Sequence, residues 1–176
     1  MRSRPRRTTT ALRTPIALIA GFVALAVVRC ASVWDELPPV LMSHFNASGR
    51  ADGFMTRGAF LWTLAAVGGG TVLMWLNVPW LTRVLPASSL NIPNRSYWLP
   101  ERRPQIQHKL TVFAAWGAAA TTALLVATLE LVLRANLQQQ PLSRVIWLIL
   151  GAYAVGISLS VLWLVRAFRI PAGAPP

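Results

Sequence analysis

The residue types that could carry chemistry are few and widely spaced. The chain has 2 histidines (His44 and His108), 5 acidic residues and 1 cysteine (Cys30). A zinc site needs about three protein ligands. His44 with Asp52 and either Asp35 or Glu36 would reach that number, but one imidazole among carboxylates is a weak donor set. A histidine held by loop hydrogen bonds is the plainer reading, so neither a metal nor a cofactor is expected. His44 and His108 lie on opposite sides of the apolar runs described below, which leaves no serine–histidine–aspartate set on one side. No Walker loop, GxGxxG after a strand, HExxH or CxxC occurs. A lone cysteine rules out an internal disulfide and a thiolate cluster. These absences predict a protein that is not an enzyme.

The other pair with chemical potential is Arg29 and Glu130. Each is an ionisable residue at the end of an apolar run, where charge is costly and points to a partner or a role. Opposite signs at matching depth suit an ion pair, with Arg134 one helical turn from Glu130 as a competing partner. Alternatively, Arg29 snorkels to headgroups and Glu130 is solvated.

The elements that position these residues are long apolar stretches. Hydrophobic residues make up 55% of the 176 and charged residues only 12%, about half the share of a soluble domain. A bilayer-crossing helix takes about 20 mainly apolar residues. Four stretches qualify, at 14–34, 58–82, 110–129 and 145–165, and in lipid they must be helical because an unpaired amide is costly there. The expected fold is all-α: a four-helix membrane bundle over 14–169, with a basic tail at 1–13 and a disordered tail at 170–176. Two polar connections remain, an outer loop at 35–57 and an inner loop at 83–109. The first run reads as a retained helix, since the small-residue pattern of a signal-peptide cleavage site lies inside it.

The formal net charge of +12 does not point to nucleic acid, because the basic residues fall between apolar runs and not on one soluble face. They read instead as topology determinants and contacts to anionic lipid. Twelve of the 17 lysines and arginines lie in the N-terminal tail, the inner loop and the C-terminal tail, and the other 5 lie on the opposite side. That imbalance places both termini in the cytoplasm and the chain in a cytoplasmic membrane. Trp34, Trp62 and Trp147 near the outer helix ends, and Trp80, Trp98 and Trp163 near the inner ones, suit an aromatic belt.

Small residues recur every four positions at Ala115, Ala119, Ala123 and Ala127, and again at Ala152, Gly156 and Ser160. Ala65 with Gly69 and Ala66 with Gly70 add a patch, and Gly68-Gly69-Gly70 suits close packing or a flexible point. Such spacing lets helices approach closely in lipid, either within one chain or between copies in a homo-oligomer.

The outer loop reads D-E-L-P-P-V-L-M-S-H-F-N-A-S-G-R-A-D-G-F-M-T-R. Pro38 and Pro39 end the first helix, and Val40, Leu41, Met42 and Phe45 form a short extended apolar patch. Gly49 and Gly53 supply turns, with Asn46 and Asp52 placed for side-chain-to-backbone hydrogen bonds. A compact loop on the membrane surface is expected. The inner loop carries N-I-P-N-R-S-Y-W-L-P-E-R-R. There Asn94 flanks a turn, Tyr97 and Trp98 suit headgroup depth, Arg95, Arg102 and Arg103 suit phosphates, and Glu101 could pair with any of the three.

The string L-P-P-V-L-M-S-H-F-N-A-S-G-R-A-D-G-F resembles the signature of the bacterial membrane family called domain of unknown function 1648. That family is related to the N-terminal part of the immunity protein of a sporulation-delaying toxin system. The inner-loop residues Asn94, Arg95, Tyr97, Trp98, Glu101, Arg102 and Arg103 are similar to a segment of its short stand-alone members. So is Leu131-Val132-Leu133-Arg134-Ala135-Asn136-Leu137. The resemblance implies recognition of a peptide or envelope component through His44, Phe45, Asn46, Gly49, Asp52 and Gly53, in toxin immunity or envelope-stress sensing. Transport of small solutes or ions along Arg29 and Glu130, in an oligomer, is the alternative.

Overall fold

A computed structural model describes residues 6–86, 89–99 and 101–170. Five helices and one hairpin follow in the order α1 (Arg6–Val33), β1 (Val40–Phe45), β2 (Ala51–Thr56), α2 (Arg57–Val84), α3 (Arg95–Trp98), α4 (Arg103–Gln138) and α5 (Val145–Ala167). Four of the helices, α1, α2, α4 and α5, are long and apolar enough to cross a membrane, which makes the chain a multi-pass membrane protein. The four helices fall on the expected spans, with α1 beginning earlier and α4 running longer at both ends, which shortens the connections beside α4.

The expected tail at 1–13 is helical from Arg6 onward; its first five residues, and 171–176 of the C-terminal tail, lie outside the described residues. The inner loop is shorter than expected because α4 already begins at Arg103, with proline in its first turn, where the missing N–H costs no helical bond. At 36 residues, α4 is roughly 54 Å long at 1.5 Å per residue. It therefore overshoots a hydrocarbon core of about 30 Å, and its ends project as posts on which the two polar connections fold.

The connection between α1 and α2 adds a two-stranded hairpin to the expected all-α fold. β1 and β2 form an antiparallel hairpin in which Val40 faces Thr56, Met42 faces Phe54 and Phe45 faces Ala51, with irregularities on either side of His44. Asn46 builds the turn. Its side-chain Oδ1 accepts from the Ser48 and Arg50 amides and from the Ser48 hydroxyl, while its own amide donates to Arg50 O. The turn needs Gly49, whose φ is +84°, a region that costs a residue with a Cβ about 1–2 kcal/mol. Alternation then sends Leu41 inward. It is fully buried in a cluster with Cys30, Val33, Leu37, Leu129 and Leu133, a burial that contributes about 1.5–3 kcal/mol. The hairpin is thus docked on the ends of α1 and α4.

Among the four long helices α4 is the hub, and α1, α2 and α5 each pack against it. It holds 13 buried residues, whereas α2 holds only Thr82 and α5 none. Small residues explain the close approach. A Cβ at Gly117 would lie 2.5 Å from the Trp75 ring, and Ala114, Ala115, Ala118 and Ala119 are buried beside it. One hydroxyl ties three helices together at this level: Thr121 Oγ1 donates to Gly117 O and accepts from Trp75 Nε1 at 3.1 Å, and it lies 2.8 Å from the Tyr153 hydroxyl. A hydroxyl has one proton and two lone pairs, and all three are used. Gly68, Gly69 and Gly70 have no neighbour within 4 Å of a would-be Cβ, so they serve no close packing within the chain.

Candidate functional site

Three groups of side chains gather the residues singled out above. The first is the outward face of the hairpin. Residues two apart in a strand share a face, which puts Asp52, Phe54 and Thr56 of β2 outward. His44 joins them from β1, and its Nδ1 lies 2.5 Å from Asp52 Oδ1. Both side chains are open, at 76% and 45% exposure. Gly53 sits directly opposite His44, where a Cβ would be 2.8 Å from that of His44. Gly53 therefore supplies room inside β2 and not a turn, which corrects its expected part; the turn rests on Gly49 and Asn46. Phe45 is half-buried. The exposed aromatic is Phe54, at 63%. Strand alternation from Asp52 would have found it in the sequence, had the segment been read as a strand. Among the described residues, no third histidine, cysteine or carboxylate joins His44 and Asp52, and Asp52 engages Nδ1, leaving Nε2 as the accessible ring nitrogen.

The second group holds the hairpin in place. Asn136, 1% exposed near the end of α4, accepts from the Met42 amide at 2.8 Å and donates to Met42 O at 3.0 Å and Val132 O at 2.9 Å. On the far side of the turn, Leu142 N donates to Gly49 O at 2.8 Å. A Cβ at Gly49 would meet Leu142 O at 2.6 Å, a second reason for glycine there. Nearly two turns before Asn136, Glu130 holds two arginines. Arg29 Nε reaches Oε2 at 2.8 Å, and Arg134 Nε reaches Oε1 at 2.6 Å. Arg29 and Arg134, weighed in the sequence as competitors, share the carboxylate.

The third group is at the opposite end. The expectation that this segment faces headgroups is overturned for several of its residues. Trp98 is 4% exposed and packs edge-on against Phe168. Its Nε1 and the Asn94 side-chain amide both donate to Phe168 O at 2.9 Å, which fastens the end of α5. Asn94 adopts φ +55°, a left-handed conformation that asparagine tolerates better than most residues. Arg103 donates to Thr82 O, Arg83 O and Leu85 O, satisfying carbonyls left over where α2 ends. Arg102 bonds Tyr97 O at 2.5 Å and lies 4.0 Å over the Tyr97 ring. Arg95 and Glu101 are exposed, and Glu101 forms no ion pair among the described residues. The motif is a clasp that joins α2, α3, α4 and α5.

Compared with known proteins, residues 21–68 match a family model described as Domain of unknown function (DUF1648). No curated protein and no solved structure matches the chain. The matched segment runs from within α1 through the hairpin into α2, so it contains His44, Asp52, Gly49 and Arg29; the clasp and Asn136 lie beyond it. The match covers 48 of the 176 residues, and over that stretch the chain is similar to the DUF1648 family.

Proposed function

We propose that this is a non-enzymatic membrane protein whose hairpin faces away from the cytoplasm and recognises a peptide or another envelope component. The observation that supports the reading is the His44–Asp52 pair. It lies on the open face beside exposed Phe54, while the opposite face, through Leu41, supplies the packing. An imidazole with a free Nε2, a carboxylate and an aromatic ring offer hydrogen-bonding and apolar contact within one small patch. The positive-inside imbalance supports the outward orientation and a cytoplasmic membrane. Toxin immunity or envelope-stress sensing is the role this patch would serve. The transport alternative draws less support, since Arg29 and Glu130 bond each other at the helix ends.

A deletion strain compared with its parent tests the proposal. Greater sensitivity to secreted membrane-active peptides, with uptake of small solutes unchanged, is expected. Unchanged peptide sensitivity with impaired uptake would transfer the proposal to transport. Orientation is tested separately: with Cys30 replaced, A47C should react with an impermeant thiol reagent in intact cells and S89C should not.

A further inference from the structure

Two grooves flank a strip of α4. One, of about 440 Å³, lies between α1 and α4 and is lined by Phe22, Ala26, Arg29 and Glu130, among others. The other, of about 540 Å³, lies between α4 and α5, where Gly156 and Ser160 form part of the wall. Ala123 and Ala127 line both. The two thus make one depression between α1 and α5, floored by the methyl groups of α4. Its walls belong to membrane-length helices, so it opens toward the acyl chains of the bilayer.

At one end this apolar depression meets charge. Glu130 accepts from the Nε of both arginines, and Arg29 Nη2 lies a further 3.5 Å from Oε1. Two guanidinium groups share one carboxylate, which leaves one positive charge in surplus. A guanidinium carries five N–H donors. Arg29 commits at most two of them to Glu130 and Arg134 commits one, so the outer forks of both are held in place with their donors unspent. The forks are accessible, since the Arg29 and Arg134 side chains are 34% and 63% exposed. Arg29 lies about 6 Å from the end of a 23-residue span of roughly 35 Å, which puts its backbone just inside the edge of a hydrocarbon core of about 30 Å. From there the long side chain reaches the depth of lipid phosphates by snorkelling. The other acidic groups near this end of α1, Asp35 and Glu36, form no ion pair with either arginine among the described residues.

We propose that this depression binds one anionic phospholipid, its phosphate on the Arg29 and Arg134 forks and an acyl chain along Ala123 and Ala127. Planar forks match phosphate oxygens in pairs, and charge-assisted bonds are about twice as strong as neutral ones. The alanine floor and the small residues of α5 leave room for a chain where larger side chains would close the gap. Glu130 has a positioning role: it holds both arginines at the rim and prevents either from turning away to water. The site is independent of the hairpin face, because the lipid would touch neither His44 nor Asp52.

Native mass spectrometry of the full chain in detergent tests this. The probes are a phosphatidylglycerol with palmitoyl and oleoyl chains, the diacylglycerol with the same chains, and inorganic phosphate. The expected result is one phosphatidylglycerol per chain, bound at least about tenfold more tightly than the diacylglycerol and not displaced by inorganic phosphate. Arg134→Gln should lower phosphatidylglycerol affinity about tenfold and leave the diacylglycerol unaffected. Ala127→Leu should weaken both lipids by filling the floor, and if it fails to fold, Arg134→Gln decides alone. Unchanged phosphatidylglycerol binding by folded Arg134→Gln overturns the proposal, as does displacement of the lipid by free phosphate. A dimer that Ala127→Leu converts to monomer with lipid binding intact also overturns it, because a helix of a second copy would then occupy the groove.

Discussion

Asn136 stands against Met42 as a third strand would: its side-chain amide receives the Met42 N–H and returns a proton to the Met42 carbonyl. One side chain thereby completes the edge of β1, and it does so from a buried position near the end of α4. Its third bond, to Val132 O, fixes the orientation of the amide. The hairpin is consequently held by the helix and not only by its own ladder.

Replacing Asn136 should therefore release the hairpin. Asn136→Ala strands the Met42 amide and carbonyl, and a buried orphaned polar group costs about 1–3 kcal/mol. Hydrogen exchange should show faster exchange over 40–56, with the interior of α4 unaffected, and the midpoint of thermal unfolding in detergent should fall. Asn136→Asp keeps an acceptor for the Met42 amide but loses the donor, so it should be damaging as well. Unchanged exchange at Met42 would mean that the strand needs no partner on that edge.

The apolar spans could be read from the sequence because a bilayer allows only one local solution to a run of about 20 apolar residues. The helix that dominates the fold could not. Small-residue repeats occur in 58–82 and 145–165 as well as in 110–129, so they do not single out the hub, whose status depends on what Gly117, Ala118 and Thr121 meet in three dimensions. The hairpin was missed for a related reason. Val40–Phe45 has strand-like residues, but the irregularities at His44 break the period-2 pattern, and Ala51–Thr56 holds glycine and aspartate, both poor strand formers. Its docking rests in part on Asn136, 94 residues away from Met42. In the inner loop, aromatic and basic residues suit headgroups and backbone carbonyls equally. Only the return of Phe168 to Trp98 decides between them.

Arg29 and Glu130 should behave as a coupled pair. Arg29→Leu leaves Glu130 with Arg134 alone, and Glu130→Gln leaves two arginines without their shared carboxylate. Because the pair is partly exposed, the coupling should be modest, about 1 kcal/mol. Thermal stability of the two single variants and the double variant forms the cycle. Strict additivity would show that the two side chains do not sense each other in the membrane.

Gly117 should tolerate no larger residue while Trp75 is in place. Gly117→Ala puts a methyl group 2.5 Å from the Trp75 ring, and overpacking of this kind costs about 1–3 kcal/mol. Trp75→Leu removes the ring, along with its bond to Thr121, and should itself destabilise. In the double variant, however, Gly117→Ala should cost almost nothing further. If the alanine is equally harmful on both backgrounds, the close approach of α2 to α4 is not what requires glycine.

The hairpin allows recognition to be separated from folding, since its two faces have different jobs. His44→Ala, Asp52→Ala and Phe54→Ala alter exposed side chains, and surface substitutions of this kind usually stay within about 0.5 kcal/mol. Protein abundance in the membrane should therefore match the parent, while the protection afforded by the parent gene should fall toward that of the deletion strain. Gly49→Val supplies the opposite case. It forces a β-branched residue into φ +84° and places its Cβ against Leu142 O, so both abundance and protection should drop together. A chelator should leave the parent phenotype unchanged, because His44 is read as a hydrogen-bonding partner of Asp52 and not as a metal ligand. Immunoblotting of membranes alongside the sensitivity assay distinguishes the cases. Loss of abundance in the alanine variants would reassign His44 and Asp52 to holding the hairpin. Full protection at normal abundance would remove them from any account of function.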